Sequence, residues 1–223
     1  MFDRIARVYD LMNSVMTAGM HHRWRERAAD LANVGPGSTA LDVATGTGDL
    51  ALALCAAGAD VVGLDFSAAM LGEAIRKEGA RVRDGRITWV EGDAMELPFP
   101  DESFDAVTVA FGLRNMPSYP AALREMVRVL RPAGTLVCLE TTPLRAPVLR
   151  AVFDWYFARV VPIVGGLLSG DRDAYRYLPA SAAAFPDAGT LGQMMLAAGF
   201  SRVRFLRLGL GTVALHVAVK PGA

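Results

Sequence analysis

A short apolar run that ends in glycines sets the first constraint. Thr39–Ala44 reads TALDVA and passes directly into TGTG, after which Leu50–Ala57 is a helix-forming segment. Strand, tight turn and helix make the unit from which parallel sheets are built, because a parallel neighbour is reached only through a crossover. The unit then repeats. Val61–Leu64 (VVGL) reads as a second strand closed by Asp65, and Ser67 offers a cap for a helix over Ala68–Lys77. Ile87–Val90 is a third strand and Asp105–Ala110 (DAVTVA) a fourth, followed by a helix over Ala121–Leu130 that stops at RPAG. Leu136–Glu140 is a fifth. Strands this apolar are buried on both faces, so the expected fold class is α/β, with a doubly wound and mostly parallel sheet.

The rest of the chain frames that core. Residues 1–35 predict an N-terminal helical segment, 36–142 the ligand-binding core, 143–188 an apolar cap insert, and 189–223 a C-terminal helix (Thr190–Ala198) with a hairpin. Arg202–Leu208 and Val213–Val219 are joined by Gly209–Gly211, a connection short enough for an antiparallel pair at the sheet edge. One domain over residues 1–223 is expected.

Charge narrows the partners. Lys+Arg 23 against Asp+Glu 23 leaves no basic excess, which excludes nucleic acid as an expected partner. Residues 1–142 carry 14 basic and 19 acidic side chains, whereas residues 143–223 carry 9 and 4, so the C-terminal portion is net positive by 5. That portion holds the most apolar stretch, Val148–Leu168 (VLRAVFDWYFARVVPIVGGLL), interrupted by Arg150, Asp154, Arg159 and Pro162. Those interruptions exclude a membrane span and fit an amphipathic segment that faces either the core or a lipid surface. Cys55 and Cys138 sit inside apolar runs and read as reduced thiols, and Met1–Asp30 lacks an apolar signal segment, so a cytoplasmic location is expected.

Gly46 and Gly48 fall at the carboxyl end of the first strand, where open α/β sheets take their ligands. A G-x-G turn alone suits several nucleotides, and Asp65 adds only a ribose, because its carboxylate is placed for the sugar hydroxyls. Two facts discriminate. The only lysines are Lys77 and Lys220, preceded at four residues by Glu73 and His216, so the Tyr-x-x-x-Lys of short-chain dehydrogenases is absent. Asp42 inside the first strand and Asp93 after the third suit a cationic sulfonium better than a pyrophosphate. Asp42 has a second reading, in which it ties down the glycine turn through backbone amides.

In combination, LDVATGTGDLA, the Asp65 strand end, GDAMELPFPDESFD and RVLRPAG resemble the Rossmann-like class I S-adenosyl-L-methionine-dependent methyltransferases over Thr39–Glu140. The flanking motifs YDLMNSVMTAGMHHRW (Tyr9–Trp24), AFGLRNM (Ala110–Met116), AYRYLPASAAAFP (Ala174–Pro186) and TVALHVAVK (Thr212–Lys220) resemble the UbiE/MenG group of quinone-biosynthesis C-methyltransferases. The resemblance implies S-adenosyl-L-methionine as cofactor, no metal, and methylation of a ring carbon of a polyprenylated quinol. Demethylmenaquinol and a benzoquinol both fit.

It also implies roles. Thr47, Asp65, Asp93 and Ala94 fall on cofactor positions, together with Asp42, Thr45, Gly46 and Gly48 of the turn, Phe66 after Asp65, and Ala110. Tyr9, His21, Arg114 and Asn115 fall on acceptor-side motifs. Arg114 would hold a developing phenolate or a water, with Asn115 orienting it. Tyr9 would donate to the acceptor oxygen, and His21 is either a general base or a structural histidine. Two departures from the family touch the expected pocket wall: Glu140-Thr141-Thr142 stands for Glu-Phe-Ser, and Ala110 for a serine. They leave a different aromatic acceptor open. Expected partners are the quinol itself, the inner face of a membrane at its periphery, and a second copy of the chain in a homodimer.

Overall fold

The computed structural model describes residues 2–81, 86–144, 159 and 181–222. Two helices lead, α1 (Phe2–Thr17) and α2 (Met20–Ala32), followed by β1 (Thr39–Val43), α3 (Asp49–Ala56), β2 (Asp60–Asp65), α4 (Ala68–Arg81) and β3 (Ile87–Glu91). Then come β4 (Phe104–Ala110), a 3₁₀ turn over Leu113–Asn115, α5 (Tyr119–Val129) and β5 (Leu130–Thr141). The described chain closes with α6 (Ala188–Ala198), β6 (Arg202–Leu208) and β7 (Val213–Val219).

The seven strands form one sheet in the order β3-β2-β1-β4-β5-β7-β6. Pairings β1·β2, β2·β3, β1·β4 and β4·β5 are parallel, while β7 runs antiparallel to both β5 and β6. Successive strands leave β1 in opposite directions across the sheet, so the winding reverses between β1 and β4. A crevice opens at the carboxyl ends of those two strands.

Period-two alternation sends side chains to two cores. Leu41, Val43, Val107, Val109, Leu136 and Cys138 face α5 and α6, where Leu123, Met126, Leu191 and Met195 are buried. Ala40, Val61, Ala106, Val137 and Leu215 face the other way, onto α3 and the alanines Ala28, Ala29 and Ala32 of α2, whose small side chains let the helix lie close. Neither cysteine is in a disulfide, both are buried, and burial pushes the Cys138 thiol up.

Local chemistry sets the boundaries. Ser118 accepts from the Ala121 N–H at the start of α5, with Pro120 in its first turn. Asp187 accepts from the N–H groups of Gly189 and Thr190, which starts α6 two residues before the expected Thr190. The largest boundary difference is β5. Its pairing with β4 steps from Phe104↔Leu130 to Ala106↔Thr135, so RPAG is looped out of the ladder instead of lying before the strand. Gly134 is required there, since a Cβ would sit 2.8 Å from the Arg131 carbonyl oxygen.

Of the expected cap insert over 143–188, residues 143, 144, 159 and 181–188 are described; the apolar stretch Val148–Leu168 lies outside them except for Arg159, which is exposed. No helix among the described residues is long and apolar enough to cross a membrane.

Candidate functional site

The crevice holds a cavity of about 360 Å³, within the range of small-molecule sites. Gly46, Asp65, Phe66, Asp93, Ala94, Ala110 and Asn115 all line it, joined by Met70 and Met95. Its wall is mostly apolar with a few convergent polar groups, as small-molecule sites commonly are.

Asp65 builds the floor. Its Oδ2 accepts from the Gly46 N–H at 2.8 Å and its Oδ1 from the Ser67 N–H at 3.0 Å. The carboxylate thus pins the glycine turn to the end of β2 at the wall of the cavity. The backbone-amide role that the sequence suggested for Asp42 therefore belongs to Asp65. Gly46 has φ 57, and a Cβ added there would meet nothing within 4 Å. The side of the turn on which a side chain would stand is open space.

Gly48 has a different reason to be glycine. At φ 80, a Cβ would lie 2.6 Å from Cη2 of Trp89, whose ring also covers Gly63. Gly48 does not line the large cavity; it lets an indole pack against the turn. Asp93 is exposed and accepts from the Met95 N–H at 2.8 Å, which shapes the loop after β3. Phe66, 62% exposed, stands at the cavity wall.

Asp42 is buried beneath the turn, where its oxygens accept the hydroxyls of Thr45 (2.6 Å) and Thr108 (2.7 Å). Burial pushes its carboxyl up to about 6, against the pull of those hydrogen bonds. Thr45 is thereby spent on Asp42. Thr47 turns away from the large cavity: its hydroxyl donates to Asp10 of α1 and accepts from Lys77 of α4. Lys77 also pairs with Asp10 (2.5 Å) and Asp49 (2.7 Å). Burial raises the Asp49 carboxyl, but the lysine beside it wins and holds it below its ordinary value. Asp10 and Lys77 thus latch α1 over the glycine turn, across a sequence separation that no local motif marks.

The acceptor-side residues separate. Asn115 reaches the cavity, with its amide donating to the Phe111 carbonyl at 3.3 Å. Arg114 does not line it. Its guanidinium pairs with Glu140 at 2.5 Å, both side chains are buried, and its backbone N–H donates to the same carboxylate. The ion pair fastens the 3₁₀ turn over Leu113–Asn115 to the end of β5, which is a positioning role. The Tyr9 side chain lies outside the described residues.

His21 is 1% exposed, outside the cavity, and engaged at both ring nitrogens. Arg25 donates to Nδ1, so the hydrogen sits on Nε2 and is shared with Ser14 Oγ at 3.0 Å. Burial, reinforced by Arg25 and His22, lowers its pKa to about 4. At this position the ring bridges α1 and α2 through Ser14 and Arg25 and does not face the cavity. His21, His22 and Asp49 come close enough to suggest a metal site. The His21 nitrogens have no lone pair to spare, however, and Asp49 is held by Lys77.

The two departures resolve differently. Ala110 does line the cavity. Thr141 and Thr142 do not: Thr141 donates its N–H to Glu140, and the Thr142 hydroxyl accepts from the Ala188 N–H at 3.0 Å.

Comparison with known proteins agrees with this geometry. A demethylmenaquinone methyltransferase of Thermus thermophilus is 51% identical over 223 residues, covering 99% of this chain and 100% of that one. The ubiquinone/menaquinone biosynthesis C-methyltransferase UbiE of Paracoccus denitrificans is 42% identical over 217 residues, covering 96% and 87%. Among solved structures, the [4+2]-cyclase SpnF superposes with TM-score 0.68 at 23% identity, covering 91% of this chain and 82% of its own. A Methanococcus maripaludis protein classed with the S-adenosyl-L-methionine-dependent methyltransferases gives 0.67 at 18%, covering 100% and 95%; at such identities the likeness concerns the fold. The pattern of the ubiE/COQ5 methyltransferases matches residues 1–220, and with near full-length relatives at this identity the chain belongs to the ubiE/COQ5 methyltransferase family.

Proposed function

We propose that this protein methylates a ring carbon of a polyprenylated quinol with S-adenosyl-L-methionine, converting demethylmenaquinol to menaquinol. The observation that carries the proposal is the near full-length likeness to relatives named for that step, at up to 51% identity. The cavity at the carboxyl ends of β1 and β4 suits the cofactor: Gly46 leaves the turn open, Asp65 offers acceptors to ribose hydroxyls, and Asp93, Ala94 and Met95 form a wall for the base.

When bound, S-adenosyl-L-methionine supplies an electrophilic methyl group on a sulfonium. The protein's part is to position and to place charge. Buried Asp42 puts a negative field beneath the turn, which favours a cationic ligand above it. A ring carbon is a good nucleophile only when a neighbouring hydroxyl is ionised, so the reduced quinol is the substrate form. Asn115 presents its side chain to the cavity, and the Arg114–Glu140 pair holds the turn that carries it. Aliphatic and aromatic groups, Phe66, Met70, Phe111 and Met116, exclude water from the transfer.

A substrate of this kind resides in a bilayer. The net positive C-terminal portion and the Val148–Leu168 stretch, with Arg150 and Arg159, suit peripheral contact with anionic lipid. Salt is then expected to weaken sedimentation with anionic vesicles; binding indifferent to salt and to replacement of both arginines overturns the electrostatic part.

The test of function is transfer of labelled methyl to short-chain demethylmenaquinol under reducing conditions, beside the oxidised quinone and a benzoquinol. Label on carbon of the reduced naphthoquinol is the expected result. Cofactor binding without transfer to any quinol refutes the proposed acceptor.

A further inference from the structure

A second, smaller recess of about 20 Å³ adjoins the large cavity, and the two share Ala44, Gly46 and Ala110. Its polar wall is Arg25, Asp42, Thr45, Thr47 and Asp49. Most of those groups are satisfied from within the protein. Asp42 takes two hydroxyls, Thr47 lies between Asp10 and Lys77, and Asp49 is paired with Lys77.

Arg25 is the exception. It is 7% exposed, and among the described residues no carboxylate lies within ion-pair distance of it. One guanidinium nitrogen donates to His21 Nδ1 and, at 3.5 Å, to the His21 carbonyl, and the group lies 5.6 Å from the Phe111 ring centroid. A guanidinium has five N–H donors; Arg25 lies in the field of Asp42 and Asp49 across the recess but donates a hydrogen bond to neither. Arg25 is therefore a cation facing a recess with donors to spare.

We propose that Arg25 receives the carboxylate of the cofactor's amino-acid end, which reaches toward this recess from the large cavity where the adenosyl portion lies. The inference rests on the function proposed above. Two features select a zwitterion over a simple anion such as phosphate. Asp42 and Asp49 in the same wall would repel a dianion but complement an ammonium group beside the carboxylate. The two spaces meet at Gly46, where no side chain stands in the way, so one ligand can span a large apolar room and a small polar one.

His21 is the positioning residue for this contact. It accepts from Arg25 at Nδ1 and is itself held by Ser14 of α1 at Nε2, so α1 and α2 together aim the guanidinium. HHRWRER is therefore a ligand-orienting segment, although its charges look like a solvated helix face.

Calorimetric binding to the full chain tests the assignment. The probes are S-adenosylhomocysteine, which carries the amino-acid end, and 5′-methylthioadenosine, which lacks it. Arg25→Gln is expected to weaken S-adenosylhomocysteine by ~10- to 100-fold, the size of one lost charge-assisted contact. It should leave 5′-methylthioadenosine within about 2-fold, and Arg25→Lys should recover part of the loss. Equal weakening of both probes, or no weakening in a variant whose melting is unchanged, overturns the proposal. Should Arg25→Gln fail to fold, the unaltered protein decides: it must prefer S-adenosyl-L-methionine over its decarboxylated analogue by a similar factor, and indifference overturns the assignment. Binding of none of these probes by the unaltered protein would refute the cofactor reading itself, a distinguishable result.

Discussion

Replacing Asp42 with asparagine removes a buried charge while keeping its shape. The asparagine carbonyl can still accept one threonine hydroxyl, and its amide can donate to the oxygen of the other. In the folded protein, burial moves the Asp42 carboxyl from 3.8 to about 6. Between those values the unfolded chain has released the proton and the folded one retains it, so the folded state binds more protons and stability falls as pH rises through this window. At about 1.4 kcal/mol per pH unit, the ionised carboxylate costs the fold about 3 kcal/mol at pH 7.5. Asp42→Asn should recover up to that amount at pH 7.5, only about 0.5 kcal/mol at pH 4, and nothing below about pH 3, where aspartic acid is neutral in both states. For a chain of this size the gain corresponds to a Tm higher by ~6–12 °C. Calorimetric melts of the two proteins at pH 4, 5, 6 and 7.5 measure it. Subtracting one profile from the other removes shared contributions such as the depressed carboxyls of Asp49 and Asp105. A variant equally stable or less stable at pH 7.5, by a margin independent of pH, would refute the argument. The same variant should bind S-adenosyl-L-methionine more weakly at pH 7.5, for the field under the turn is gone.

Other consequences follow from single contacts. Arg114→Met leaves Glu140 buried without its cation and should cost about 3–5 kcal/mol in urea melts, most of it recovered in Arg114→Met/Glu140→Gln; a loss under about 1 kcal/mol would mean the pair is hydrated. The His21 ring, followed by proton NMR, should titrate near pH 4 and stay neutral through the pH range of activity, and a midpoint at the ordinary 6.5 would place it in water. Gly48→Ala drives a methyl into the Trp89 ring at a left-handed φ and should destabilise by more than about 2 kcal/mol, seen as an earlier thermal midpoint.

The strands and helices were legible because period and punctuation are local. TALDVA, VVGL and DAVTVA announce strands by their own composition, and Ser67 and the glycines mark where helices begin. Strand β5 was read short because RPAG looks like a terminator, and only its pairing with Phe104 and Ala106 shows a bulge. In the site, Gly46, Asp65, Asp93 and Asn115, which the sequence singles out, line one cavity, since each closes a strand or a turn at the same end of the sheet. What stayed hidden was who holds whom. Arg114 meets Glu140 and Lys77 meets Asp49 across 26 and 28 residues, and nothing in a run of sequence encodes such a partner. Arg25 was obscured by its company: among His21, His22, Arg23 and Arg27 it looks like one charge in a solvated stripe, yet it is one of the two polar residues of α2 that are buried.

Trp89 packs its ring edge where Gly48 and Gly63 lack side chains, and its indole N–H donates to Glu78 at 2.7 Å. An indole so placed is an optical gauge of the glycine turn. Any ligand that shifts the turn by a few tenths of an ångström changes the polarity around the ring and therefore its emission. With Trp24 and Trp155 replaced by phenylalanine, a fluorimeter reads occupancy of the site from the protein's own light, with no label attached.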